Sequence, residues 1–180
     1  MPPGRVPVLV ITGPVGVGKT TVGLEVSGQL DQASVAHAFV DVDALRWCYP
    51  RPTGDRFRAA LAMQNLAAIW PNFQRAGARR LVLADVLESR AELRRIETAV
   101  PGAGVRVVRL RASPSALAAR VQQREQGLAR GRLVERAAEL AQLMDRVQVE
   151  DLLVQTDERT ISELASEIVS WSGWLASAHD

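Results

Sequence analysis

Lysine is almost missing from this chain: of its 22 basic residues 21 are arginine, and the one lysine is Lys19. Cysteine is equally scarce. Cys48 stands alone, which excludes an intrachain disulfide and suits a reducing cytoplasm. No apolar run approaches the ~20 residues that span a bilayer, so no membrane partner is expected. The opening "MPPGRVPVLVITG" holds one arginine and a short apolar stretch interrupted by Pro7. That is too little for a secretory leader, and a cytoplasmic location is the expectation. Net charge is only +2 despite an isoelectric point near 9.3. The strongly basic footprint of a nucleic-acid binder is therefore lacking, and no nucleic-acid motif appears. Repeats, low-complexity tracts and long linkers are lacking too, which leaves residues 1–180 as one domain with an ordinary hydrophobic content of 47%.

What is present is alternation. Apolar runs at Val6–Thr12, Ala38–Val42, Arg80–Val86, Val105–Leu110 and Leu152–Thr156 read as strands, with helical patterns between them. Ser89-Arg90-Ala91-Glu92 and Thr160-Ile161-Ser162-Glu163 have the capping-box form of a helix start. Ser113-Pro114 places a capping residue before a proline at the first helical position. The "GAG" at 102–104 stops a helix before the fourth strand. Strands alternating with helices predict an α/β fold, a parallel sheet covered on both faces. Right-handed crossovers then gather the strand C-termini along one edge, where ligands bind in such sheets.

At the end of the first strand stands "GPVGVGKT", Gly13 to Thr20, which has the form G-x-x-x-x-G-K-[ST]. Gly13 and Gly18 allow backbone conformations that a side chain forbids, so the N–H groups of Val15, Gly16 and Val17 can turn inward around phosphates. The following helix adds the positive end of its dipole. Lys19 is expected to neutralise the β- and γ-oxygens, the Thr20 hydroxyl to ligate Mg²⁺, and Thr21 to support the α-phosphate. The composition sharpens this reading. In a chain whose other cations are all guanidinium, the surviving ammonium marks a site where only a compact point charge fits.

Acidic residues follow two of the strands. The second strand ends "FVDVDALRW", and Asp41 and Asp43, two apart, share one side of it. Beside a phosphate loop such a pair serves two tasks. Asp41 is the expected base or ligand for an attacking hydroxyl, and Asp43 is expected to hold the metal or the substrate. A helix cap would also account for Asp43, but not for Asp41. The third strand ends at Asp85, in the form that holds Mg²⁺ through its waters, and Arg90 beyond it suits either an anionic substrate or a helix start. After the fourth strand, Arg120 and Arg124 are four apart and stack on one helix face, where they are expected to stabilise the charge of a transferring phosphoryl group, Arg120 also contacting the nucleotide. The stretch 126–132 is basic and contains glycine, as a flap over a transferring phosphoryl group would be. Thr156 to Arg159 are weaker candidates for contacting the nucleotide base.

Together, GPVGVGKT at 13–20, the Asp-x-Asp of "VDVD" and "LRASPSALAARVQQRE" at 110–125 resemble the small P-loop kinases. These are the shikimate and gluconate kinases and the chloramphenicol phosphotransferase-like group, including phosphotransferases of capuramycin-type nucleoside antibiotics. The resemblance covers nearly the whole chain. It implies a three-layer P-loop NTPase sandwich with five parallel strands in the order 2-3-1-4-5. It also implies a lid at 120–147 carrying arginines, and Mg²⁺-dependent phosphorylation of a small-molecule hydroxyl from ATP or GTP. One departure stands out: the triple glycine that shikimate kinases carry after the third strand is missing, which counts against shikimate as the acceptor.

Residues 44–78 are where the resemblance places the acceptor. They hold Trp47, Tyr49, Phe57, Trp70 and Phe73, with Arg46, Arg51, Arg56 and Arg58. Much of this is helical core, since "FRAALAMQNLAAIW" has the helical period. Arg46 and Trp47, next to the aspartates, are expected to touch the substrate. The leading expectation is a monomeric or homodimeric phosphotransferase acting on a small hydroxylated metabolite or antibiotic. A regulatory nucleotide-binding ATPase and a nucleotide or polynucleotide kinase are the alternatives.

Overall fold

The computed structural model describes residues 5–55, 57–124 and 129–176, side chains at 124, 129 and 130 apart. Five strands, β1 (Val6–Thr12), β2 (His37–Asp41), β3 (Arg80–Ala84), β4 (Ala103–Arg111) and β5 (Leu152–Gln155), form one parallel sheet in the order β2-β3-β1-β4-β5. Six helices accompany them: α1 (Lys19–Gln32), α2 (Ala59–Arg75), α3 (Ala91–Ala99), α4 (Pro114–Arg124), α5 (Ala129–Val147) and α6 (Ile161–Ser172). This is the P-loop NTPase arrangement expected from the sequence, and each strand lies within two residues of its expected bounds.

The side-chain period of a strand explains the three layers. Along β1, Val8 and Val10 pack with Leu66 and Trp70 of α2 and Ile96 of α3. Leu9 and Ile11 point the other way, to Val22 and Val26 of α1 and Ile168 of α6. All four β1 residues are at most 1% exposed, so the central strand is apolar on both faces. β1 lies between β3 and β4: the crossover from β1 runs to β2 on one side, and the crossover from β3 returns past β1 to β4 on the other. The crevice that this reversal opens is at the C-terminal end of β1, where the glycine-rich loop begins.

Helix starts follow the sequence in two of three places. Thr160 Oγ1 accepts the Glu163 N–H at 3.3 Å and Glu163 Oε2 accepts the Thr160 N–H at 2.8 Å, a complete capping box. Ser113 Oγ accepts the Ala116 N–H at 3.3 Å ahead of Pro114. Before α3 only the carboxylate half forms: Glu92 Oε2 accepts the N–H groups of Glu88 at 2.6 Å and Ser89 at 3.2 Å. No described helix is long and apolar enough to cross a membrane.

Burial decides which leucines matter. Leu66 is fully buried against the sheet while Leu24 of α1 is 55% exposed. Leu66→Ala is expected to lower stability by about 2–5 kcal/mol, the loss of transfer energy plus a cavity. Leu24→Ala should change it by under ~0.5 kcal/mol. Urea unfolding of both variants checks this.

Candidate active site

The loop between β1 and α1 is held by contacts that only glycine permits. Gly13 has φ +150°, and a Cβ there would lie 2.7 Å from the Leu110 carbonyl oxygen of β4. Gly16 has φ +82°, and its Cβ would lie 2.6 Å from Val121 Cγ2 of α4. The loop is thus pressed between the sheet and α4. Gly18 occupies the cap position of α1 with no side-chain hydrogen bond, and the first turn carries no acidic residue. The opening N–H groups of α1 therefore face an anion site without an internal competitor. Lys19 Nζ reaches back to the Pro14 carbonyl at 3.2 Å, arching over the loop.

Three cavities meet around this loop. The largest, 760 Å³, is lined by Lys19, Thr20, Asp41, Trp47 and Arg58 among others. A second, 420 Å³, lies over the C-terminal end of β3 and shares Val15, Asp43, Arg46 and Val86 with the first. The third, 390 Å³, runs from Gly16 and Thr21 to Arg120 and Ile161.

The two aspartates after β2 are not equivalent. Thr20 Oγ1 donates to Asp41 Oδ2 at 2.7 Å, and the Asp43 N–H donates to Asp41 Oδ1 at 2.9 Å. Asp41 lines the phosphate cavity alone, whereas Asp43 lines both it and its neighbour. Asp43 precedes a short 3₁₀ turn, Ala44–Arg46, without capping it through its side chain. Its carboxylate is more than half exposed and lies 3.5 Å from Arg46 Nε.

Arg46 also donates to Asp85 Oδ1 at 2.7 Å, so one guanidinium joins both carboxylates. Asp85 is buried and accepts the Val86 N–H at 2.8 Å. Burial raises its pKa to about 6, outweighing the opposing pull of Arg46. The carboxylate expected on the metal's waters is thus held by an arginine, in the second cavity.

Arg120 turns to the far end of the loop. It donates to Thr156 Oγ1 at 2.9 Å, to the Thr156 carbonyl at 3.2 Å and to the Val17 carbonyl at 3.4 Å. Two other expected residues are engaged elsewhere. Arg159 holds Glu167 at 2.6 Å beside α6, and the exposed Arg90 donates to the Gln148 carbonyl at 3.3 Å. The Arg124 side chain, and residues 125–128 of the expected lid, lie outside the described residues. Trp47 projects into the phosphate cavity while 86% exposed. Glu88, Glu92 and Arg136 line the second cavity although none was an expected site residue, and the sequence marks Glu92 only as part of a helix start. Glu88 and Arg136 pair at 2.5 Å across 48 residues, a separation with no local signature.

No group of three or more His, Cys, Asp or Glu among the described residues can cage a metal by itself. The Thr20 hydroxyl and Asp41 carboxylate are hard oxygen donors on the phosphate cavity. They suit Mg²⁺, which takes one or two protein oxygens and completes its shell with phosphate and water.

A family model described as an AAA domain matches residues 9–151. Among solved structures, a gluconokinase from Sinorhizobium meliloti 1021 is 24% identical with a TM-score of 0.62, covering 96% of this chain and 94% of its own. A shikimate kinase from Acinetobacter baumannii in complex with shikimate is 19% identical with a TM-score of 0.62, covering 93% of each chain. The tunicamycin resistance protein of Deinococcus radiodurans is 19% identical with a TM-score of 0.63, covering 94% of this chain and 96% of its own. No curated protein matches the sequence. The likeness establishes the fold, that of the small P-loop kinases and phosphotransferases.

The raised pKa of Asp85 sets a pH dependence. Between its ordinary value of 3.8 and about 6 the folded state binds the proton and the unfolded chain does not, so this contribution to stability falls as pH rises. It is fully present below pH 3.8 and lost above about 6. Relative to Asp85→Asn, the unmutated protein should lose up to about 3 kcal/mol across that window. Urea unfolding of both proteins from pH 4 to 7.5 reads the difference; a flat difference would place Asp85 in water.

Proposed function

Since the chain belongs to the AAA domain family and folds as the small P-loop kinases do, we propose that it transfers the γ-phosphate of a nucleoside triphosphate to a hydroxyl of a small metabolite or antibiotic. The observation that carries this reading is the meeting of two cavities at Asp43. One side holds the phosphate loop, Lys19 and Thr20; the other is a pocket of 420 Å³ that the loop touches only at Val15. A nucleotide hydrolase has no use for the second space. A transferase needs it for the acceptor.

The two aspartates then divide the work, though not as the sequence pattern suggested. Asp41 accepts a 2.7 Å hydrogen bond from the Thr20 hydroxyl, which turns the Thr20 oxygen towards a metal. Asp43, at the junction, is the base. The acceptor oxygen attacks the γ-phosphorus as its proton passes to the Asp43 carboxylate. The bond from that phosphorus to the β-bridging oxygen breaks, and the leaving charge settles on Lys19 and the loop N–H groups. Thr20 and Asp41 would hold Mg²⁺, which would supply charge neutralisation to the phosphates. Arg120, fixed in place by the buried Thr156, holds the nucleoside end, and Gly13, Val15, Gly16, Val17, Gly18 and Thr21 form the loop around the phosphates. Arg46 and Trp47 border the acceptor. Arg124 is retained as the lid arginine of the transferring group. Arg159, on Glu167, and Arg90, on Gln148, are left out.

Triphosphate hydrolysis by the protein alone should be slow, and a compound from a library of hydroxylated metabolites and antibiotics should yield a phosphate ester with ATP or GTP. Lys19→Ala and Lys19→Arg should both abolish the product, the second because a guanidinium cannot fill the ammonium's place. Mass detection of product decides; stimulation by a protein and by no small molecule would mark a regulatory ATPase instead.

Asp43→Asn should lower kcat by about 10²–10⁴ with nucleotide affinity nearly unchanged. Asp41→Asn should instead raise the Mg²⁺ needed for half-maximal rate by about 10–100-fold. Metal titrations of both variants separate the roles, and the opposite pattern would return the base to Asp41.

A further inference from the structure

We infer that the acceptor enters without a carboxylate or an ammonium group: the second cavity is built for an uncharged hydroxyl compound with an apolar body. The inference rests on the phosphoryl-transfer reading and names the substrate class of that same site.

The floor of the cavity is apolar. Met63, Leu87, Ile96 and Leu140 line it, the last three at most 2% exposed. Its volume of 420 Å³ lies in the ~300–1,000 Å³ range of small-molecule sites. Three arginines stand in the lining, which at first suits an anion, but two of them are already matched. Arg46 lies between Asp85 at 2.7 Å and Asp43 at 3.5 Å. Arg136 lies between Glu88 at 2.5 Å and Glu139 at 3.5 Å. Arg95 is exposed at the mouth, where water screens it. Four carboxylates share this lining, and the fourth, Glu92, already accepts two backbone N–H groups.

An entering carboxylate would therefore have to displace Glu88 or Asp85 from its guanidinium and sit among like charges. An entering ammonium would have to displace the guanidinium. Either exchange leaves a charged group without its partner in a partly dry cavity, which is the costly outcome. An uncharged body asks for neither. It covers the apolar floor and presents its hydroxyl to Asp43 at the junction.

The test uses the full chain with Mg²⁺ and ATP or GTP, against hydroxyl compounds in matched pairs. Each free acid is paired with its methyl ester, shikimate and methyl shikimate included, and each amine with its N-acetyl form. The uncharged member should give phosphate ester with kcat/KM at least tenfold above its charged partner. A charged member that equals or exceeds its partner overturns the inference and leaves phosphoryl transfer standing. No product from any pair, with hydrolysis unaltered, overturns transfer itself and this inference with it. Glu88→Gln, which leaves Arg136 short of an anion, should raise the acid-to-ester ratio about tenfold. Adding Arg136→Gln should return it to the starting value. An unchanged ratio in Glu88→Gln removes the Glu88–Arg136 pair from specificity and overturns the charge argument.

Discussion

The hydrogen bond from Thr20 to Asp41 is the constraint on which the site depends. Thr20 belongs to the first turn of α1, whose position is set by the central strand β1. Asp41 ends β2, which lies at the sheet's edge and pairs only with β3. Two strand spacings separate these elements, and the ladder brings them level, Asp41 beside Ala84 and Ala84 beside Ile11. The 2.7 Å bond then ties the carboxylate itself to α1, and the Asp43 N–H on the other oxygen of Asp41 carries the alignment two residues further. The junction carboxylate is thus placed by a chain of contacts that starts at the phosphate loop.

A second balance operates at Arg46. Burying Asp85 is unfavourable for its charged form, and the guanidinium offsets only part of that, which is why the carboxyl stays near a pKa of 6. The same guanidinium reaches Asp43, so the junction carboxylate and the buried one share a single cation. The chain's uneven basic composition suits this division. Planar, permanently charged guanidinium groups make the lateral pairs at Asp85, Glu88 and Glu150, while the lone ammonium is kept at the phosphate loop.

What could be read from the sequence was local. Strands announced themselves by apolar runs, the loop by its glycine spacing, and the α6 start by the Thr160–Glu163 box. The grouping with small P-loop kinases rested on the same short motifs. What could not be read was orientation between segments. Asp41 and Asp43 are chemically identical on the page, and only a bond arriving from Thr20 distinguishes them. Asp85 looked like a metal residue because an apolar run ended on it, yet its partner comes from 39 residues away. Glu88 and Arg136 carry no spacing rule at all, since a loop after β3 and a helix after β4 meet only in the folded chain. Arg159 illustrates the converse: a position beside a nucleotide-facing strand says nothing about which way a long side chain turns.

The α4–α5 pair shows how this distinction bears on the arginines of the expected lid. The start of α4 is fastened by Ser113, whose hydroxyl donates to Asp157 at 2.7 Å and holds that carboxyl below its ordinary pKa. The end of α5 is fastened by Asp145, which bridges the buried Arg109 at 2.8 Å and Arg111 at 3.1 Å. Val121 adds a third hold, because it fills the space that the missing Cβ of Gly16 leaves. Both roots of the pair are thus anchored to the end of the sheet. Arg120, two turns from its root and bonded to both Val17 and Thr156, belongs to the anchored part. Its place is therefore set before any ligand arrives, which suits a fixed contact to the nucleoside. A group that must follow the moving phosphoryl charge has to come from farther along the pair. Three residues of helix lie between Arg120 and Arg124, so two arginines that share one face by spacing can differ in function by their distance from the anchor.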